Sequence, residues 1–371
     1  MDKIKRLIVA HIPVTTCNLR CKYCYIYQQN QFDAKLPDFK YDAEHIGKAL
    51  SIERLGGICL INLTAGGETL LPNQITGIIK ELLKQGHYLE VVTNGLISKR
   101  FDAIAAFPKE LLSRLQFKFS FHYLELLRLN KIDQFFKNIN QMNNAGCSFT
   151  VEMTPSDELI PHKSDILKLC EEKLKVPCHL TVARNDNDKN KGIFSRLSYN
   201  DYQNTWSDFN SKMFNFKMDI LGIKRKEYCY AGDWSFYLNV GNGDIKPCYG
   251  KLVTQNIFKN ISKPIKFRAI GKRCVQPYCY NGHAFLTVGI IPELKTPTYS
   301  DIRNRISSTG EEWHKNRLKA FFSSKLIESN KEYNINRKRI SSIYNTANTI
   351  PNLFRSYPQI SEKLRNKLKN T

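Results

Sequence analysis

Short runs rich in β-branched and aromatic residues alternate along this chain with longer stretches in which apolar residues recur at helical spacing. Residues 8–12, 59–64, 88–93, 116–122, 148–153 and 178–183 have the length and composition of strands. Between them, 43–55, 74–85, 134–145 and 164–174 read as helices, with Gly86 and Gly146 placed where a left-handed glycine ends a helix. Repeated strand–helix units joined by right-handed crossovers predict an α/β fold with a parallel sheet, either open or curled toward a barrel. Both forms put chemistry at the carboxyl ends of the strands.

The fourth run, QFKFSFH, alternates strictly. Phe117, Phe119 and Phe121 share one face, and Lys118, Ser120 and His122 share the other, which must meet water, a cavity or a ligand. Thr150 and Glu152 follow the same logic on the fifth strand. The first strand leads into CNLRCKYCY (17–25), the second into TAGGET (64–69) and the third into TNG (93–95), while the fourth ends in Ser120 and His122. Four candidate site elements therefore converge on one rim.

A chain of 371 residues can bury a sizeable core and hold two or three modules. Eleven cysteines are too few for a disulfide scaffold of this length, which favours a metal or redox use. The amino-terminal apolar run is too short for a signal peptide, and no stretch approaches the roughly 18 apolar residues of a membrane span. The expectation is a cytoplasmic protein with reduced thiols. Its net charge is +22, and residues 295–371 carry sixteen Lys and Arg against six Asp and Glu, a difference of +10.

Cys17, Cys21 and Cys24 are spaced C-x3-C-x2-C on one loop. A closed structural zinc takes four ligands, and disulfides use cysteines in pairs. Iron–sulfur clusters also normally take four thiolates, so three leave one iron open to something other than protein. A zinc knuckle or chance clustering is the competing reading of this loop, and GGE alone reads first as a simple strand-to-helix turn.

Together, the cysteine loop after the first strand, Tyr23 before its last cysteine and GGE after the second strand resemble the radical S-adenosylmethionine (SAM) superfamily over residues 5–190. The resemblance implies a partial (β/α)6 TIM-like barrel with a 4Fe-4S cluster on Cys17, Cys21 and Cys24, whose open iron chelates SAM. It implies reductive cleavage of SAM to a 5′-deoxyadenosyl radical, hydrogen abstraction from a substrate, and an electron donor such as flavodoxin or ferredoxin. Tyr23 and Tyr25 would then lie near the adenine, and Gly66 and Gly67 would let backbone approach the methionine moiety. Glu68 would sit near its ammonium, Asn94 within the SAM site and Ser120 near the ribose. His122 would reach SAM or substrate as a catalytic group, a structural histidine being the alternative. Thr69 stands where the family often has proline.

A second group follows, with Cys229, Gly243 and Cys248 as C-x13-G-x4-C and Cys274 and Cys279 as C-x4-C. Its opening resembles the SPASM and twitch extensions of radical SAM enzymes, with Gly241, Asn242 and Gly243 as a hairpin turn between strand-like runs. Full SPASM domains carry seven cysteines, whereas four imply one auxiliary 4Fe-4S cluster, with tetrahedral zinc competing for the site. Cys59, Cys147, Cys170 and Cys178 lack ligand spacing and read as small buried hydrophobes.

The expected organisation is a radical SAM core at 1–215, a SPASM/twitch-like α+β module at 216–294 and a basic helical extension at 295–371. The extension is read as an amphipathic helix over 311–328 and a short basic helix at 361–370, offering an anionic partner a surface or standing as a solvated face. The first strand starts close to Met1, leaving no room ahead of it for the leader-binding domain that peptide maturases of this kind often carry. A small-molecule, carbohydrate-like substrate is therefore expected, with maturation of a ribosomally made peptide as the alternative. A zinc-containing nucleic-acid-binding protein is the reading from another class.

Overall fold

The structure, a computed structural model, describes residues 1–33, 36, 38–272 and 274–356, with side chains described as far as residue 345. Nine strands form one sheet in the order β6-β5-β4-β3-β2-β1-β7-β8-β9. They are β1 (Arg6–Ile12), β2 (Cys59–Ala65), β3 (Tyr88–Thr93), β4 (Leu115–Ser120), β5 (Ser148–Met153), β6 (His179–Leu180), β7 (Ser235–Asn239), β8 (Asp244–Lys246) and β9 (Gln255–Asn256). The pairings β1 through β6 are parallel, as is β1 with β7, and β7-β8-β9 continues antiparallel. The sheet thus runs unbroken into the region of the second cysteine group. Among the described residues, no helix is long and apolar enough to cross a membrane.

Alternation along each strand sorts residues between two faces. Ile8, Ala10, Ile12, Ile61, Leu63, Leu89, Val91, Phe117, Phe119, Val151 and Met153 are buried in one apolar cluster. Helices Ile75–Lys84, Ile132–Ala145 and Lys163–Leu174 supply its other side. Leu7, Val9, Leu60 and Tyr88 belong to a second cluster with Trp234, Leu318, Phe321 and Phe322. Burial on both faces accounts for the unbroken apolar run of β1.

The second face has three tiers. Its lower tier is apolar and is closed by Phe321, which stacks on Tyr88 at 3.7 Å. Its middle tier holds Asn62, Glu90, Gln116, Lys118, Thr150 and Glu152. Glu90 accepts hydrogen bonds from Gln116 Nε2 at 2.9 Å, from Tyr299 Oη at 2.7 Å and from the Asn62 amide. Lys118 pairs with Glu152 at 2.5 Å, and Arg303, only 1% exposed, lies 3.7 Å from Glu90 and 3.6 Å from Glu152. The upper tier, with Thr64, Val92 and Ser120, faces a cavity.

Four expectations are corrected here. The predicted 116–122 strand ends at Ser120, and His122 becomes the cap of helix Tyr123–Arg128. The predicted 178–183 strand shrinks to His179–Leu180, because the backbone N–H of Ala183 is taken by Tyr202 Oη at 3.0 Å. The predicted 43–55 helix is two pieces, Ala43–Ala49 and Ile52–Leu55, the second capped by Ser51. The predicted 311–328 helix reduces to Asn316–Phe322 and a single turn at Leu326–Glu328. Trp313 N bonds to Arg305 O at 3.0 Å and Leu326 N to Val288 O at 2.8 Å, which draws both flanks into tertiary contacts.

The segment from Tyr299 to Phe322 is therefore built into the second face of the sheet rather than standing apart as a basic tail. Helix Ile335–Ser356, unpredicted, follows it, and the predicted helix at 361–370 lies outside the described residues. Arg303→Ala strands Glu90 and Glu152 without their shared cation, and is expected to lower unfolding stability by about 3–5 kcal/mol. Denaturant unfolding of the purified chain measures this; an unchanged midpoint would contradict the integration of this segment.

Candidate active site at the carboxyl ends of the strands

The chain leaves β1 through Pro13 and reaches Cys17, Cys21 and Cys24 on a loop pinned by its own backbone and by neighbouring strand ends. Cys24 N bonds to Cys21 O at 3.1 Å, and Leu19 N donates to Cys17 Sγ at 3.4 Å. Glu125 Oε2 accepts from Arg20 N at 2.8 Å. The three thiols line a cavity of about 240 Å³ with Tyr25, Phe32, Thr64, Gly66, Gly67, Glu68, Asn94, Ser120 and His122, and no fourth cysteine lines it. Burial pushes the Cys17 thiol up to about 11 and raises Cys21 and Cys24 as well. Such thiols hold their protons until a metal takes their place.

GGE runs against the cysteine loop. Gly67 N donates to Val14 O at 2.6 Å and Glu68 N to Thr16 O at 3.0 Å. A Cβ at Gly67 would fall on the Thr16 carbonyl group, deep inside van der Waals contact. The sequence alone attributed this glycine to ligand approach; the structure supplies a nearer reason, the backbone of the cysteine loop itself.

Glu68 is 2% exposed. Its Oε1 accepts from Leu70 N at 2.9 Å and Thr93 Oγ1 at 2.7 Å, and its Oε2 from Asn94 N at 2.7 Å. Burial raises its pKa against the opposing pull of these three donors. Glu68 thus clamps the ends of β2 and β3 together, with lone-pair capacity left on Oε2 for one further donor. Asn94 donates to Asn18 Oδ1 at 2.6 Å and reaches Cys17 Sγ at 3.8 Å, linking the TNG turn to the first cysteine.

His122 Nδ1 lies 2.6 Å from Tyr23 Oη, and the rings stack with centroids 5.9 Å apart. Burial lowers the His122 pKa to about 4 and raises that of Tyr23 well above the usual phenol range. Both are neutral at ordinary pH, and a tautomer with the proton on Nε2 lets the phenol donate to Nδ1. A larger cavity of about 460 Å³, lined by Tyr23, Ser156, Asp157, Asn185 and Phe194, lies beyond this pair and contains none of the cysteines. The Tyr23–His122 contact and the place of Phe32, over which Arg20 stacks at 4.3 Å, escaped the sequence reading because both depend on distant loop packing.

The second group also converges. Cys229, Cys248, Cys274 and Cys279 line one cavity of about 40 Å³ with Tyr249, Tyr278 and Tyr280. Burial raises Cys248 to about 12 and pushes Cys229 and Cys279 higher. The glycine-containing turn predicted between the first two of these cysteines is the β7–β8 hairpin. Gly243 adopts φ +84° there, and a Cβ would strike the Phe258 side chain. Among the described residues, no three His, Cys, Asp or Glu side chains close tightly enough on one point to hold a single metal ion. Cys59, Cys147, Cys170 and Cys178 are fully buried and line neither cavity.

Residues 11–158 match the family model of the Radical SAM superfamily. No curated protein matches the chain in sequence. Among solved structures, SuiB of Streptococcus suis bound to S-adenosylmethionine is similar at 14% identity, with 70% of this chain and 64% of that chain covered and a TM-score of 0.48. The chain thus spans 64% of the length of SuiB. Native anSMEcpe with bound AdoMet and Cp18Cys peptide is similar at 16% identity, covering 69% of this chain and 78% of that chain, with a TM-score of 0.45. BtrN in complex with AdoMet and 2-DOIA is similar at 16% identity, covering 71% of this chain and 82% of that chain, with a TM-score of 0.37.

Proposed function

We propose that the chain is a radical SAM enzyme that holds a 4Fe-4S cluster on Cys17, Cys21 and Cys24 and binds SAM at the open iron, acting on a small-molecule substrate. The observation that carries this reading is the cavity lined by three thiols and no fourth, at the carboxyl ends of the strands in the stretch that matches the Radical SAM family model. When bound there, cluster and SAM supply one-electron cleavage of the sulfonium and, from it, a carbon radical able to take a hydrogen atom from a substrate.

The chain's own residues fit that pair. Asn94 and the cysteine-loop backbone orient Cys17, while Gly67 lets the GGE backbone lie against the loop. The remaining acceptor capacity of Glu68 suits an ammonium group. The Ser120 hydroxyl has no hydrogen-bond partner among the described residues and lines the cavity, where a ribose could meet it. Tyr23 and His122 wall this space off from the larger cavity, whose 460 Å³ lies within the range of small-molecule sites.

For the second cysteine group we favour an auxiliary 4Fe-4S cluster. Four half-buried thiols surround a cavity rather than one point, which suits a cluster better than tetrahedral zinc. Anaerobic reconstitution tests both parts of the proposal. The wild-type chain should take up about eight irons, and Cys274→Ala with Cys279→Ala should leave about four while formation of 5′-deoxyadenosine from SAM persists. Zinc in the wild type with no iron or sulfide would instead favour the nucleic-acid-binding reading.

A further inference from the structure

Three short segments, 223–227, 248–253 and 272–279, wall the four-cysteine cavity through Arg225, Cys248, Tyr249, Cys274, Gln276 and Cys279. They meet at Gln276, whose Nε2 donates to Tyr249 O at 2.8 Å and whose backbone oxygen accepts from Lys224 Nζ. Each segment also shows an apolar side chain to solvent. Ile223, Leu252, Val253 and Val275 are between 42% and 53% exposed. Val275 stands between Cys274 and Gln276, both of which line the cavity, so the wall there is one residue thick. Single exposed apolar residues are ordinary, but four on three segments tied to one glutamine form a patch.

The same nineteen residues concentrate positive charge. They carry Lys224, Arg225, Lys226, Lys251, Lys272 and Arg273 against one acid, Glu227, and that acid already has Arg225 at 3.4 Å. Lys224, Lys226 and Lys272 are exposed. Lys251 is half-buried near two of the thiols: burial lowers its pKa, and Cys274 and Cys248 pull it back up. An apolar centre within a charged rim is the anatomy of a protein–protein contact, and the sign of this rim selects an acidic partner.

The chemistry beneath the patch narrows that partner. Each cleavage of a SAM sulfonium consumes one electron, which has to reach the chain from outside. Small flavin proteins of the flavodoxin kind are acidic one-electron carriers, and their flavin presents an apolar dimethylbenzene edge at the surface.

We propose that this face, with Ile223, Leu252, Val253 and Val275 at its centre and lysines at its rim, is the docking surface for an acidic flavodoxin-type protein that delivers electrons at the second cysteine group. The flavin edge would lie against the apolar centre, and carboxylates around it would meet Lys224, Lys226 and Lys272. In the step served, the flavin hydroquinone anion loses one electron and becomes the neutral semiquinone, with no proton transferred. That electron breaks one carbon–sulfur bond of SAM and yields methionine and a 5′-deoxyadenosyl radical. Electron-transfer encounters bury little surface, so three short segments suffice for one. Naming the partner an electron donor rests on the radical SAM reading; the acidic docking surface does not.

The test titrates the anaerobically reconstituted full chain with an acidic flavodoxin by calorimetry at low salt. Lys226→Glu with Lys272→Glu puts like charges opposite the partner's carboxylates and should weaken binding by about tenfold or more. Leu252→Asp with Val253→Asp should do the same without touching a lysine. Lys99→Glu with Lys137→Glu, exposed on helices Ser98–Ala105 and Ile132–Ala145, makes an equal change in net charge and should leave Kd unaltered. With reduced flavodoxin as the electron source, the two surface variants should need about tenfold more flavodoxin for half-maximal SAM cleavage. With dithionite as the source, both should match the wild type.

Undiminished binding in the surface variants, or an equal loss in the Lys99 and Lys137 pair, would overturn the docking surface. So would tighter binding, at the same lysines, of an acidic ferredoxin or of a single-stranded oligonucleotide. Dithionite-driven cleavage without flavodoxin binding would overturn it and leave the enzyme reading standing. Flavodoxin bound at these lysines by a chain that never cleaves SAM would keep the surface and remove the enzyme reading.

Discussion

Replacing Cys17, Cys21 and Cys24 together with Ala is expected to abolish 5′-deoxyadenosine formation and to remove about four of the eight irons proposed for the whole chain. No other thiol can substitute. The remaining cysteines line the second cavity or are fully buried, and none lines the space between the cysteine loop and GGE. The fold should survive, because Cys17 and Cys24 are only partly buried and the hydrogen bonds pinning the loop are mostly backbone or come from Arg20. A triple variant that folds, loses this iron and still cleaves SAM at the wild-type rate would refute the assignment.

Gly67→Ala should be nearly as damaging, for a steric reason alone. Gly67 is not among the residues with positive φ, so alanine is acceptable conformationally, but its methyl group would collide with the Thr16 carbonyl group. Relief requires parting the two backbones and breaking Gly67 N to Val14 O and Glu68 N to Thr16 O together. A displacement of about 1 Å in a catalytic loop can lower turnover by about 100-fold, and SAM cleavage is expected to fall by that order while the irons of the second group are retained. Gly66→Ala provides the comparison. Its methyl would meet Ile26 Cδ1 and Val14 O at 3.1 Å and Tyr25 Oη at 3.2 Å, contacts that small shifts can absorb. Equal activity in the two variants would show that the close approach at Gly67 does not hold the loop.

The first five strands were legible because each alternates or runs apolar over its whole length and is closed by a glycine or by a polar motif. The rim motifs were legible for the same reason, since a parallel sheet carries whatever follows its strands to one end. Pairing of β7 with β1 was not, because it joins segments more than two hundred residues apart, with no turn to announce it. Arg303 and Tyr299 were read as part of a basic tail; only their contacts with Glu90 and Glu152 show that they complete the polar tier. Glu68 was expected near a ligand's ammonium, and its clamp on Thr93 and Asn94 could not be read from spacing, since carboxylates at strand ends serve ligands and backbone alike.

The central claim is that the three-cysteine site leaves one coordination position for SAM. Electron paramagnetic resonance of the anaerobically reconstituted, dithionite-reduced wild type, recorded with and without SAM, tests it most directly. The account predicts two reduced cluster signals, of which the one absent from the Cys17, Cys21 and Cys24 triple variant changes on addition of SAM while the other does not. A spectrum with full iron loading that SAM leaves unaltered would contradict it.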